Sequence, residues 1–418
     1  MSVSTAWMAT VLAGARPRVV AALLRYFRDL DTAEEAFQEA CLRALKRWPA
    51  EGPPKNPGGW LIIVGRNAGI DAKRRRAKEA ALPDEEAISD LSDAEAEAVD
   101  NLDTAAYRDD ILRLLFVCCD PALPATRQIA LALRIVCGLS VPQIASAFLV
   151  GEAAMEQRIT RAKKTIADAA VPFAPPGPSE RTRRLGAVAG VIYLMFNEGY
   201  TTGVAEAGAR APLSREAIRL GRLLADLYPD EPEILGLLAL MLLQHARASA
   251  RFDRDGAVIL LDQQDRTLWN GAAIAEGTRL VTRALQQGAP GPYQIQAAIA
   301  AVHGAAKTAE ETDWLEIEAL YAVLSRLQPS PVVSLNRAVA VMKAHGPAAA
   351  LAMIDPLEKD LANYFYFHGA RGAVLKALGR RDDAREAFMR AVSLARTAVE
   401  AAHIRAEIDA LSDENGPD

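Results

Sequence analysis

Cysteine is scarce in this chain of 418 residues, with four in all. Cys41, Cys118, Cys119 and Cys137 form no Cys-x-x-Cys pair and have no histidine at ligand spacing. That excludes a disulfide framework and a zinc site, and it suits a reducing cytoplasm. Aromatic residues make up only 6%, and runs alternating Val, Ile, Thr and Tyr are rare, so an all-α fold is expected. No uninterrupted apolar run approaches the ~18 residues of a membrane span, and no membrane partner is expected. The opening Met-Ser-Val-Ser-Thr-Ala-Trp has neither the basic region nor the apolar stretch of a secretory signal, which points to the cytoplasm. There is no nucleophile elbow, glycine-rich phosphate loop or metal-spaced histidine pair. Asp253, Asp255, Asp262, Asp265 and Glu198 are acids with His245 as a lone candidate base, and Asp253-Arg-Asp255-Gly256 lacks the remaining ligands of a calcium loop. No enzyme, metal or cofactor is expected.

What is abundant is alanine and leucine. With 51% hydrophobic residues, the chain can bury a large core divided between two or three domains. Its net charge of −5 averages over strong asymmetry. Cations cluster at 66–78 and 158–164, whereas 84–103 carries many Asp and Glu and no Lys or Arg. A nucleic-acid partner is decided by such local distribution and not by the average.

The helical patterns run in order. Val19, Val20, Leu23, Leu24 and Phe27 mark one amphipathic helix; Phe37, Ala40, Cys41, Ala44 and Leu45 mark the next. Asp31 is the expected N-cap of the second, with Glu34 at the capping-box position. Glu34, Glu35, Gln38 and Glu39 then form a polar, acidic face. A Pro/Gly loop at 49–58 leads into the stretch from Asn56 to Lys78, where Gly65 and Gly69 cost helix propensity of roughly 1 kcal/mol each against alanine and so imply close packing. Cations fill its last turns, as the helix dipole favours. After the acidic linker 81–105, helices resume at Asp109 and at Ala125. Ser140 caps a short helix with Gln143 at the capping-box position and Ile144, Ala145 and Phe148 inward. Gly151 turns the chain into a helix with Met155, Ile159 and Ala162 inward. This is the sequence form of a helix-turn-helix, whose second helix enters a major groove.

Three of these motifs, in this order, resemble an extracytoplasmic-function (ECF) sigma factor of bacterial RNA polymerase. Asp31-x-x-Glu34-Glu35-x-x-Gln38-Glu39 is similar to the region-2 helix that docks on core polymerase. Trp60-Leu-x-x-x-x-Arg66-Asn67-x-x-x-Asp71 followed by Arg74-Arg75 is similar to the helix facing the −10 element. The helix-turn-helix at 140–165 resembles region 4, which reads the −35 element. The resemblance implies core-polymerase contacts at Asp31, Glu34, Glu35, Gln38 and Glu39. It implies −10 contacts at Arg47, Trp48, Asn56, Trp60, Arg66, Asn67, Lys73, Arg74, Arg75 and Arg76, where unpaired bases are captured and cations hold the displaced backbone. It implies −35 contacts at Gln157, Arg158, Arg161, Lys163 and Lys164. The recognition helix opens on Gly151-Glu152-Ala-Ala, with few base-reading side chains early on, and its base preference is not readable.

Region 2 is expected over 1–80 and region 4 over 106–170, followed by a Pro-rich linker at 171–183. The chain then continues as helix after helix. Ile192–Tyr200 and Asp253–Trp269 resemble signatures of the ECF group with a long extension ending in tetratricopeptide (TPR)-like repeats. The expectation is a helical extension domain at 184–300, then repeats at 301–418. Gly372, Leu375, Gly379, Ala384, Phe388 and Ala391 stand at the small-and-large spacing of one repeat; Trp314, Tyr321, Ala338 and Ala340 suggest another. Such stacks make surfaces for a protein or peptide partner. Asn197, Glu198, Asp253, Asp255, Asp265, Arg266 and Trp269 are candidate regulatory contacts. The expected function is a sigma factor, partnered by core RNA polymerase and promoter DNA and regulated in cis by its extension. The alternative is a helix-turn-helix regulator with a TPR scaffold that works without polymerase; the acidic docking face argues against it. A small-molecule sensor in the C-terminal half is a third reading.

Overall fold

The computed structural model describes residues 6–79, 104–120, 122–148, 150–168, 178–200, 204–253, 259–395 and 398–413. Residues 81–103 of the expected acidic linker, 171–177 of the Pro-rich linker, and Asp255 lie outside them. Among the described residues every regular element is helical, as the composition requires. The chain divides into two units, Met1–Met195 and Phe196–Asp418.

In the first unit, α1 (Ala6–Phe27), α2 (Leu30–Glu51) and α3 (Pro57–Glu79) pack on one another. Val19, Val20 and Leu23 of α1, Ala33, Phe37, Ala40 and Ala44 of α2, and Leu61 and Val64 of α3 are buried. The α3 glycines are where packing is closest. A Cβ on Gly65 would stand 3.0 Å from the Ala36 carbonyl oxygen, and one on Gly69 would stand 2.3 Å from Phe27 Cζ. The start of α2 differs from expectation. Arg28 has φ 55 and turns the chain sharply, so Asp29 is the N-cap and accepts from Thr32 N at 2.7 Å. Asp31 therefore lies inside the first turn, and Glu34 makes no capping box.

The rest of this unit comprises α4 (Thr104–Cys118), α5 (Ala125–Ala132), a π-helical turn (Leu133–Cys137), α6 (Val141–Ala147), α7 (Glu152–Asp168) and most of α8 (Pro178–Tyr200), which contains the division point. The Ser140–Gln143 capping box is present, and Met155, Ile159, Ala162 and Ile166 line the buried face of α7.

The second unit contains α9 (Val204–Leu227), α10 (Pro232–His245), α11 (Gly271–Gln286), α12 (Pro292–Ala305), α13 (Trp314–Leu327), α14 (Pro331–His345), α15 (Pro347–Ile354), α16 (Glu358–Leu361), α17 (Phe365–Ala377), α18 (Arg381–Leu394) and α19 (Ala398–Asp413). Ile234 to Leu243 of α10 are all buried; a helix apolar on every side belongs at the centre, and α9, α11 and α12 surround it. Successive helices then pair as hairpins. In the α17–α18 hairpin, Gly379 (φ 74) turns the chain, and a Cβ on Gly372 would stand 2.5 Å from Phe388 Cε1. Leu375, Ala384, Phe388 and Ala391 are buried there, as the repeat spacing predicts.

Candidate nucleic-acid interface

On α2, Asp31, Glu35 and Gln38 are exposed and Glu39 is half-exposed, pairing with Arg43 at 3.1 Å. Leu42 and Leu45 stand exposed one turn on, at 52% and 49%. Leu45 was expected inward, but the buried stripe runs through Ala33, Phe37, Ala40, Ala44 and Trp48 and leaves it outside. The outer face of α2 is thus acidic at one end and apolar at the other.

Glu34 is not on that face. Its side chain is 5% exposed and accepts from Arg16 Nη2 and pairs with Arg134 Nε on one oxygen, both at 3.1 Å. Lys163 Nζ reaches its other oxygen at 2.9 Å and Asp31 Oδ1 at 2.6 Å. Arg16 also donates to the carbonyls of Ile135 and Arg134, at 2.9 and 3.1 Å, inside the π-helical turn. Gly138, with φ 78, ends that turn, and a Cβ on it would stand 2.7 Å from Arg16 Cδ. A second tie joins Arg25 of α1 to the buried Asp110 of α4 at 3.1 Å. Burial lowers the Arg16 pKa, opposed by Glu34. Burial also pulls on Lys163, but its hydrogen bond to Asp31 and the charge of Glu34 outweigh it and hold the ammonium above its ordinary value. A predicted polymerase contact, Glu34, and a predicted −35 contact, Lys163, are therefore bonded to each other.

The predicted −10 residues separate into core and surface. Trp48 is 2% exposed, stacked on Trp7 at 6.2 Å and tilted against Trp60 at 5.4 Å; it is a core residue. Asn56 caps α3, accepting from Gly59 N at 2.9 Å. Arg47 is exposed and pairs with Glu51. Arg66, Arg74 and Arg75 are exposed, while Trp60 and Asn67 are half-buried. The side chains of Lys73 and Arg76 lie outside the description. Arg66 stands 4.7 Å from the centroid of Tyr26, itself 49% exposed. Sequence reasoning missed Tyr26; its signal was an aromatic beside the apolar stripe of α1, next to Phe27. On α7, Gln157, Arg161 and Lys164 are exposed at i, i+4 and i+7 and share one face. Arg158 is half-buried.

In the second unit, Asn197 is half-buried and Glu198 and Asp253 are exposed. Asp265 caps a short 3₁₀ turn, Arg266–Leu268, and hydrogen bonds from the Thr267 hydroxyl and backbone lower its pKa. Arg266 stands 4.9 Å from the ring centroid of the buried Trp269. Around them the fold gathers Tyr200, the last residue of the stretch 192–200, with Arg247, Arg251 and His303, which no local motif marks. Asp262 pairs with Lys343 at 3.2 Å. Among the described residues no group of His, Cys, Asp and Glu could hold a metal ion.

Residues 13–79 match Sigma-70 region 2 and residues 114–166 match Sigma-70 region 4. The chain is a sigma-70-family factor, of the class that directs RNA polymerase to promoter DNA in transcription. It belongs to one family with an uncharacterized protein of Rhizobium meliloti (strain 1021), 62% identical over 410 residues that cover 98% of this chain and 97% of the other. Residues 184–285 match a family of unknown function, DUF6596. Yeast Tom70 covers 92% of this chain and 81% of its own, at 11% identity and a TM-score of 0.37.

Proposed function

We propose that this is a cytoplasmic sigma factor of the extracytoplasmic-function type. Its region 2 occupies 1–80 and its region 4 occupies 106–170. Its extension, a helical domain at 184–300 and TPR-like hairpins at 301–418, acts in cis on promoter use and offers a surface to a protein or peptide partner. The observation that carries the reading is the set of exposed faces on the first unit. Glu35, Gln38, Glu39, Leu42 and Leu45 suit docking on a basic and apolar polymerase surface. Tyr26, Arg66, Arg74 and Arg75 combine an aromatic platform with cations, as single-strand capture requires. Gln157, Arg161 and Lys164 suit a major groove and its flanking phosphates.

The test is transcription in vitro with core polymerase on promoters selected from random DNA. Glu35→Lys with Glu39→Lys should abolish core binding and transcription while the helical circular-dichroism spectrum stays intact. Undiminished transcription would refute the docking face. Duplex binding that needs no polymerase and ignores the charge reversal would favour a helix-turn-helix regulator instead. A chain ended after Met195, the close of the first unit, should transcribe differently from the full chain; equal output would refute a role in cis.

A further inference from the structure

Three arginines gather in the second unit, and among the described residues none is bonded to a carboxylate. The Arg251 guanidinium lies 3.8 Å from the ring centroid of Tyr200 and donates to the Tyr200 carbonyl. Arg247 Nη2 donates to the Tyr200 hydroxyl at 3.2 Å. Next to Arg247, the Ala246 carbonyl accepts from Asn270 N at 2.9 Å, pinning the segment after Trp269 to this site. Arg266 closes the group, donating to the carbonyls of His303 at 2.8 Å and Ala306 at 2.9 Å and to Thr312 Oγ1 at 3.0 Å.

Among the described residues, Arg247, Arg251 and Arg266 form no ion pair. Glu310 and Glu311 act on Arg266 through their charge, without an ion pair, and raise its pKa against burial. Burial first, and then Arg247 and Arg266, push the His303 pKa down to about 4. Burial first, and Arg247 in the same direction, lower the pKa of Arg251 and of Arg266, against a raising pull from Tyr200 at Arg251 and from Glu310 at Arg266. Arg266 Nε, Trp269 Nε1 and His303 Nδ1 are buried with no hydrogen-bond partner, and Trp269 is only 8% exposed. Buried polar atoms are ordinarily satisfied, and half-buried like charges repel unless something answers them. Arg266 has a structural task, clamping the segment 303–312. Holding Tyr200 does not account for two further guanidinium groups beside it.

We propose that Tyr200, Arg247, Arg251, Arg266 and Trp269 frame a site for a small oxyanion, the phosphate or carboxylate group of a metabolite-sized ligand. Guanidinium forks match both groups in geometry and charge. The half-buried setting favours a small ligand over an extended acidic chain. The site belongs to the extension alone and does not depend on how the first unit meets polymerase.

Titration calorimetry and tryptophan fluorescence on the full chain test it, with inorganic phosphate and then citrate as probes against sodium chloride at equal ionic strength. The expected result is saturable binding of one equivalent, weakened about tenfold or more in Arg247→Gln and in Arg251→Gln, as loss of a charge-assisted hydrogen bond implies. Arg279→Gln, on the exposed face of α11, should bind as the parent does. Arg266 is left intact because it also holds the fold. Tighter phosphate assigns the phosphate class, and tighter citrate the carboxylate class. A response no different from chloride, or one that Arg247→Gln and Arg251→Gln leave unchanged, overturns the proposal.

Discussion

Replacing Glu34 separates a docking residue from a structural one. Its carboxylate is 5% exposed and answers Arg16, Arg134 and Lys163 together, and the Arg16 side chain is only 10% exposed. Glu34→Ala would leave the Arg16 guanidinium buried with only two carbonyl partners. Removing one member of a buried ion pair costs about 3–5 kcal/mol, because the orphaned charge keeps its desolvation penalty. Each kcal/mol moves the midpoint of a unit this size by roughly 2–4 °C, so the first unit should melt about 6–20 °C lower. Exposed neighbours offer the control. Glu35 is exposed, and a surface change such as Glu35→Ala stays within about 0.5 kcal/mol. Glu34→Gln keeps the shape without the charge and should fall between the two. Urea unfolding followed by tryptophan fluorescence reports the unit through Trp7, Trp48 and Trp60 inside it, with Trp269 and Trp314 of the second unit a background common to every variant. A loss below about 1 kcal/mol for Glu34→Ala would refute the buried network, on the scale that exposed pairs set.

Gly69→Ala should destabilise the first unit by about 1–3 kcal/mol through overpacking against Phe27, less the helix propensity that alanine adds. Gly186→Ala, where a Cβ meets nothing within 4 Å, should be neutral or stabilising by up to about 1 kcal/mol in the same melts. Arg161→Gln and Lys164→Gln should each weaken promoter binding and reduce the slope of log K against log salt by about 1, a slope that stays put if neither meets a phosphate. His303 is held near 4 against an ordinary 6.5 by burial and by Arg247 and Arg266, so the unfolded chain binds its proton first. Its contribution, roughly 3 kcal/mol, is full above pH 6.5 and drains as pH falls towards 4; His303→Asn should flatten that part of the stability profile of the second unit.

The elements that local rules govern were legible in the residues. Ser140 and Gln143 are neighbours in one turn, Met155, Ile159 and Ala162 share one helical face, and Gly65, Gly69 and Gly372 mark places where only a hydrogen fits. Contacts between distant residues were not legible. Nothing near Glu34 names Arg16, Arg134 or Lys163 as its partners, since Lys163 is 129 positions away. The choice between Asp29 and Asp31 as N-cap turned on the left-handed Arg28, which the side-chain pattern does not encode. The Arg247, Arg251 and His303 group has the same origin: it is assembled by packing between helices and has no spacing to read. Trp269 and Arg266 could be singled out only because they sit in a stretch with a family resemblance.

The Lys163 end of the network is the end that can open. Its release from Asp31 breaks a pair whose carboxylate is 62% exposed, worth about 0–1 kcal/mol. Its release from Glu34 leaves that carboxylate still paired with Arg16 and Arg134, so no buried charge is orphaned. Lys163→Gln should therefore cost the first unit about 1–2 kcal/mol, well below Glu34→Ala, because Lys163 can be hydrated once freed while Arg16 cannot. The two substitutions should be non-additive by about 0.5–3 kcal/mol, as groups in one network are. An equal cost for both would show that the two ends are equally locked and would sink the asymmetry. Alkali is a poor key for this lock. With its pKa raised, Lys163 contributes fully below the ordinary lysine value and is lost only as pH climbs through the higher folded one. On the proposed function a competing polyanion would act at neutral pH: DNA phosphates beside Arg161 and Lys164 would offer Lys163 a new partner, and a basic surface docked on Glu35 and Glu39 would weaken the field of the old one. Lys163→Gln should therefore raise duplex affinity relative to a control that loses one phosphate contact elsewhere, because the helix no longer has to leave its carboxylates.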